Sequence, residues 1–247
     1  MIILPILFFI TSILYSSVGF GGGSTYLALL LIWDIPYFIL PVIALGCNII
    51  VVSGNSFNYI RAGHLNLKLL VPYLIGSIPM AFFGGTLEIE KNFFEIILFI
   101  VLFTSGVLLL FNFGSYDDNK LKLNKINNIF SLIIGGSIGF VSGIVGIGGG
   151  IFLSPILFLL KAGIPKHIVA TSSLFILINS ISGISGQLTK TNVLINILEY
   201  WYLLLIVFIG GQIGNFLNLK VLPTRFLALI TSCLVIFVAI RMGLKII

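Results

Sequence analysis

Apolar residues fill most of the chain, and polar ones interrupt it at 33–36, 61–68, 88–92, 112–128, 161–166, 189–196 and 220–225. A helix that crosses a bilayer needs about 20 apolar residues. The breaks therefore predict eight hydrophobic segments, at 2–33, 36–60, 67–87, 93–111, 128–160, 165–188, 196–219 and 225–246. The predicted fold class is all-α, a polytopic membrane protein. Segments one and five are too long for one straight span, and each carries a glycine run just past its middle. These runs are Gly19-Phe20-Gly21-Gly22-Gly23 and Gly146-Ile147-Gly148-Gly149-Gly150. Such a run breaks a helix, and unpaired backbone amides in hydrocarbon are costly unless they face protein or a watery cavity.

The two runs lie at matching places in two halves. Ile35-Pro36 corresponds to Ile164-Pro165, and Ser53-Gly54 to Ser182-Gly183, at nearly the same offset. The chain 1–247 thus reads as a single membrane domain made of repeat 1 (1–112), a polar linker (113–127) and repeat 2 (128–247). Paired, interrupted hydrophobic segments of this kind point to a transport site near the bilayer midplane.

Two arrangements of the repeats fit. If segments one and five cross fully, the repeats are parallel. If each dips in and turns back at its glycines, the repeats are inverted with re-entrant arms, and Arg61, Lys68, Lys120, Lys122, Lys125, Lys161, Lys166, Lys220 and Arg225 share a side. The positive-inside rule does not separate the two. Length favours inversion, because a helix of about 48 Å at about 1.5 Å per residue overshoots a core of about 30 Å.

Composition narrows the class. With 59% hydrophobic residues, 8% charged and a mean hydropathy of +1.23, no soluble core could hide this apolar surface. The net charge of +6 resides in short connections, where it sets topology and meets anionic lipid headgroups, so nucleic acid is not an expected partner. Met1 to Val18 lacks a basic start and a small-residue cleavage site and reads as a retained membrane segment. Cys47 and Cys233 lie in apolar runs without metal-ligand spacing, and both are expected to be packing residues. No metal and no cofactor are expected.

If each glycine run ends one half-helix and begins another, the second half-helix aims free N–H groups and about half a positive charge at the break. That is an anion site built without a basic side chain. Ser24 and Thr25 follow the first run and are expected to cap its half-helix. The expected substrate shell is Gly21, Gly22, Gly23, Ser24, Asn48, Gly148, Gly149, Gly150, Ser172 and Asn179, with Asn55, Asn58, Arg61, His64, Gln187 and Gln212 in gating or secondary roles. Gly135, Gly139 and Gly143, and Gly210 with Gly214, carry small-residue spacing suited to close helix packing. No carboxylate lies mid-span, which removes an obvious proton relay and any paired-acid enzyme site, so no catalytic residue is expected. Without a coupled ion, the membrane potential drives anions outward at about 2.3 kcal/mol per charge per 100 mV, which favours export.

Together the doubled G-x-GGG motif, the Ser142 to Gly150 stretch followed by Pro155, Asn48, the Arg61-Ala62-Gly63-His64 turn, Ala170-Thr171-Ser172-Ser173 and Gly210-Gly211-Gln212-Ile213-Gly214 resemble the TauE/SafE family, the sulfite exporters also called the TSUP group. The resemblance covers nearly the whole chain. It implies a multi-pass carrier of the bacterial inner membrane for sulfite, sulfoacetate or other organosulfonates, working by alternating access as one repeat rocks against the other. The alternatives are a passive anion channel and a carrier of a non-sulfur organic anion. The expected partners are a small anionic substrate and the lipid bilayer, and a homo-oligomer is compatible with this reading.

Overall fold

A computed structural model describes residues 3–111, 124, 126–190 and 198–220, with four further positions at 233, 236, 240 and 243. No strand occurs among the described residues. The helices are α1 (Ile3–Val18), α2 (Gly23–Ile32), α3 (Leu40–Arg61), α4 (Leu67–Thr86), α5 (Lys91–Phe111), α6 (Asn128–Val145), α7 (Gly150–Leu159), α8 (Pro165–Gln187) and α9 (Trp201–Lys220), the last entered through a 3-10 turn at Leu198–Tyr200. Four of them, α3, α4, α6 and α8, are long and apolar enough to cross a membrane, and α1, α2, α7 and most of α9 form shorter apolar helices. Apart from those four positions, the eighth hydrophobic segment lies outside the described residues, as does most of the linker.

Polarity runs outward to apolar. Val71, Ile75, Ile78 and Phe82 of α4 follow one another at helical spacing and are exposed, as a lipid-facing stripe must be. The buried set holds Ser16, Asn48, Asn55, Ser172, Ser173, Asn179, Ser180 and Gln187 alongside the apolar core. In lipid, the protein interior is the place that can satisfy such groups.

Close contacts fix the helix directions. A Cβ placed on Gly135, Gly139 or Gly143 of α6 would strike the carbonyl oxygens of Tyr73, Ser77 and Ala81 of α4 in that order, so the two helices run parallel with backbone against backbone. Gly186 of α8 meets the Phe82 carbonyl, and Ser182 Oγ donates to the Ile78 carbonyl at 2.6 Å, which makes α8 parallel to α4. On the other flank, Gly210 and Gly214 of α9 abut Phe9 and Ile13 of α1, and Gly46 and Gly211 meet Leu204 and Val51, so α1, α3 and α9 share a direction. Ser56 of α3 lies 3.3 Å from Ser173 of α8, while a Cβ on Gly183 would lie 3.4 Å from Leu45, and this register sets α3 antiparallel to α8.

Two faces follow from these directions. On one, α3 and α9 end and α4, α6 and α8 begin. It carries Arg61, Lys68, Lys161 and Lys166. On the other lie Asp34, Glu88, Glu90, Glu95 and Glu199 with Lys91 and Lys190. Among the described residues, then, one face is basic and every acidic group sits on the opposite one. Segment five starts and finishes on the basic face: Asn124, just before α6, donates from its backbone N to the Lys161 carbonyl and from Nδ2 to the Leu160 carbonyl, both at 3.1 Å, just past α7.

Cys47 is fully buried, as a packing residue should be, whereas Cys233 is exposed.

Candidate functional site

Both long segments break at their glycines. The first helix closes with Gly19 N bonding to the Ser16 carbonyl and Phe20 N to the Tyr15 carbonyl, and α2 restarts behind Gly22 at φ 87. The second closes with Gly146 N on the Ser142 carbonyl, and α7 restarts behind Gly149 at φ 80. A side chain at either of those left-handed positions would be strained, which explains glycine there.

The two breaks touch. A Cβ on Gly23 would stand 2.8 Å from the Ile147 carbonyl oxygen, so the start of α2 meets the middle of the second run. Asn48 of α3 joins them: its Nδ2 donates to the Ile147 carbonyl at 2.9 Å, and its side chain lies against Gly21, Gly23 and Gly148. From α8, Asn179 Nδ2 donates to the Gly148 carbonyl at 3.3 Å, and Ser180 Oγ and Ile176 close over Gly148. The Ser172 carbonyl borders Gly150. Gly21, Gly22, Gly23, Asn48, Gly148, Gly149, Gly150, Ser172 and Asn179 are thereby brought together, all buried.

The arrangement offers an anion several donors. Neither half-helix has a side-chain cap. Helical bonding begins with Thr25 and Tyr26 on the Gly22 carbonyl and with Phe152 and Leu153 on the Gly149 carbonyl. The amides of Gly23, Ser24, Gly150 and Ile151 are left without an acceptor among the described residues. Beside them, the hydroxyls of Ser172 and Ser180 are buried with no hydrogen-bond partner and can donate to an anion, whereas the unpartnered Asn48 Oδ1 and Asn179 Oδ1 are acceptors. Buried groups of this kind are costly unless something pairs with them.

Ser24 and Thr25 do not cap. The cap position is Gly22, so both residues fall inside the first turn, and their hydroxyls sit 3.4 and 2.7 Å from Tyr15 OH on α1. Ser24 adjoins the break through its amide, which precedes the first helical bond of α2. The secondary residues scatter. Asn55 Oδ1 accepts from Ser16 Oγ at 3.4 Å, on the α1 side of α3, and its Nδ2 is unpartnered. Asn58 is half-buried near the end of α3, Arg61 is exposed and His64 half-buried on the basic face, and Gln212 is exposed on α9 near Gly54. Gln187 works as a clamp: Nε2 donates to the Gly143 carbonyl at 2.8 Å and the Ile144 carbonyl at 3.2 Å, covering the C-terminal end of α6. The sequence reading missed Ser180 and the Ile147 carbonyl. Ser180 stands seven positions after Ser173, two helical turns along the same stripe; nothing in the sequence marks a carbonyl.

No group of three or more potential metal ligands occurs among the described residues. The family described as "Sulfite exporter TauE/SafE" matches residues 4–242. The chain is 27% identical to "Probable membrane transporter protein y4hK" of Sinorhizobium fredii, over 97% of this chain and 96% of that one. It is 33% identical to "Probable membrane transporter protein MJ0441" of Methanocaldococcus jannaschii, over 76% and 74%, and 23% identical to "Probable membrane transporter protein YunE" of Bacillus subtilis, over 98% and 96%. No solved structure matches. An all-helical chain with several membrane-spanning helices and this family match belongs to the TauE/SafE family of membrane transporters.

Proposed function

We propose that the chain is a secondary carrier that exports small sulfur-containing oxyanions across a bacterial inner membrane, holding them between its two glycine breaks during alternating access. What carries this reading is the meeting of two uncapped half-helix N-termini, α2 and α7, at Asn48 and the Ile147 carbonyl. Each terminus contributes about half a positive charge. The buried site is far from bulk water, so those partial charges and free amides act at low dielectric.

The carrier is built as two inverted repeats, 1–112 and 128–247, each an interrupted hairpin followed by spans. Support comes from direction: α1 runs toward the basic face and its counterpart α6 away from it, α3 toward and its counterpart α8 away. The basic face is cytoplasmic, because basic residues gather on the inner side of membrane proteins. An anion bound from that side leaves down the membrane potential. The family name of sulfite export supports sulfite, sulfoacetate and related sulfonates as cargo.

Purified protein in liposomes should take up labelled sulfite or sulfoacetate in counterflow, and Gly149→Val or Gly22→Val should abolish flux while the protein still inserts and purifies as a single species. Unchanged flux in both variants would reduce the breaks to helix packing. Planar-bilayer currents far above carrier turnover would make the protein a channel, and a panel extended to carboxylates would expose a non-sulfur cargo.

A further inference from the structure

We propose that anions reach the glycine breaks from the basic face along the seam between α3 and α8, gathered at its mouth by Arg61 and Lys166. The proposal rests on the carrier reading and adds to it the route.

The register of the two antiparallel helices places the C-terminal end of α3 beside the start of α8. A Cβ on Gly19 would meet Val169 and Tyr59 OH together, at 2.6 and 2.8 Å, which sets Tyr59 level with Val169 one turn below the basic face. Above that layer stand Arg61 and Lys166, both exposed, with His64 and His167 half-buried on the same face. His64 is held below the usual histidine range by desolvation and by the positive charges of Lys166 and His167, which puts the three within electrostatic reach. Gly63 in the same turn has open space around it. Every carboxylate among the described residues is on the far face. A concentrated single-sign charge raises the local concentration of the opposite ion.

Below the Tyr59 and Val169 layer the seam is polar. Ser56 and Ser173 face each other at 3.3 Å, and the neighbouring α8 hydroxyls Thr171 Oγ1 and Ser172 Oγ are buried without a hydrogen-bond partner. Continuing inward at helical spacing, Asn48 on α3 and Ser180 on α8 arrive at the breaks. On the acidic side of the breaks the character changes. Leu40, Ile43 and Ala44 of α3 pack with Leu27, Leu30 and Leu31 of α2 and Phe94 and Leu98 of α5 into a buried apolar block. One side of the site is thus a file of buried polar groups under a charged mouth, and the other is sealed by hydrocarbon. The cover on the polar side is a single layer, Tyr59 and Val169, resting on Gly19, the first residue of the first break.

The test is cysteine accessibility in full-length protein whose native Cys47 and Cys233 are replaced by alanine and serine. Single cysteines are placed in the seam (Ser173→Cys, with Ser56→Cys as the second choice should the first not fold), on the basic face (Ala62→Cys) and on the acidic face (Asn92→Cys). Spheroplasts and inverted vesicles are treated with the membrane-impermeant anion methanethiosulfonate ethylsulfonate. The seam cysteine should label from the same side as Ala62→Cys, and sulfoacetate should slow it. Adding Arg61→Gln and Lys166→Gln should lower the rate with this anionic reagent roughly tenfold while leaving neutral methyl methanethiosulfonate unaffected. Labelling from the Asn92→Cys side, labelling from neither side, or equal loss for both reagents would overturn the proposal. The readout needs no transport: wrong-side labelling with intact flux sinks the route alone, whereas correct labelling with no flux of any tested anion sinks the carrier reading.

Discussion

Replacing Asn48 with leucine separates the ligand shell from the scaffold. The substitution keeps the side chain close to its original size and leaves α3 helical, but it removes the Nδ2 donor that holds the Ile147 carbonyl at 2.9 Å. Ile147 is buried, so its oxygen loses its partner with no water to replace it, a cost of about 1–3 kcal/mol. Leucine also deletes Oδ1, which is already unpartnered, and that recovers part of the loss. The net destabilisation should therefore lie near about 1 kcal/mol, or roughly 2–4 °C in Tm for a chain of this size. Flux should fall far more, by at least about tenfold, because the amide that links both breaks is gone and 1.4 kcal/mol of lost anion binding is already tenfold. Thermal unfolding in detergent and sulfoacetate counterflow in liposomes measure the two effects side by side. Asn179→Leu, whose bond to the Gly148 carbonyl is longer at 3.3 Å, should show the same pattern more weakly. Wild-type flux in Asn48→Leu, or a loss of flux no greater than its loss of stability implies, would refute the assignment.

Gly139→Leu should prevent folding rather than transport alone: its Cβ would sit 2.5 Å from the Ser77 carbonyl oxygen, a backbone atom that cannot rotate away, and overpacking costs about 1–3 kcal/mol even where side chains can yield. Size-exclusion chromatography should show loss of the monodisperse peak, and a stable, active variant would contradict the parallel packing of α4 and α6. Gln187→Leu should strip the clamp from the Gly143 and Ile144 carbonyls and lower stability by about 1–3 kcal/mol per carbonyl left unpaired; an unchanged Tm would show that the clamp contributes nothing. The His64 ring should titrate below the ordinary histidine value, first from desolvation and then from Lys166 and His167, so it is neutral at pH 7 and gains charge on acidification. Lys166→Gln should move its midpoint up while leaving it below normal, as read by imidazole NMR, and a downward move would refute the charge assignment.

The glycine breaks were the most legible feature in the sequence. Loss of helix at 19–22 and 146–149 follows from residue type alone, and so does the loop at 62–66. Which way the chain runs after each break was not legible, because periodicity carries no direction. It took the Asn124 bonds and the glycine contacts to show that segment five returns to its own side. Asn48 and Asn179 were identifiable as polar groups deep in apolar helices. Gln187 and Asn55 gave the same signal, yet one clamps a helix end and the other faces α1, since intramembrane polarity marks the interior without naming the partner. Ser24 misled for a local reason: a serine next to a glycine run looks like a cap until the left-handed residue proves to be the cap itself.

The small-residue contacts have a mechanical consequence. The first arm of each half is clasped by the other half, α1 by α9 and α6 by α4, so the two halves interlock as folded hands do. Sliding one whole half past the other would tear both clasps. A chain severed within the linker should still hold together as one body.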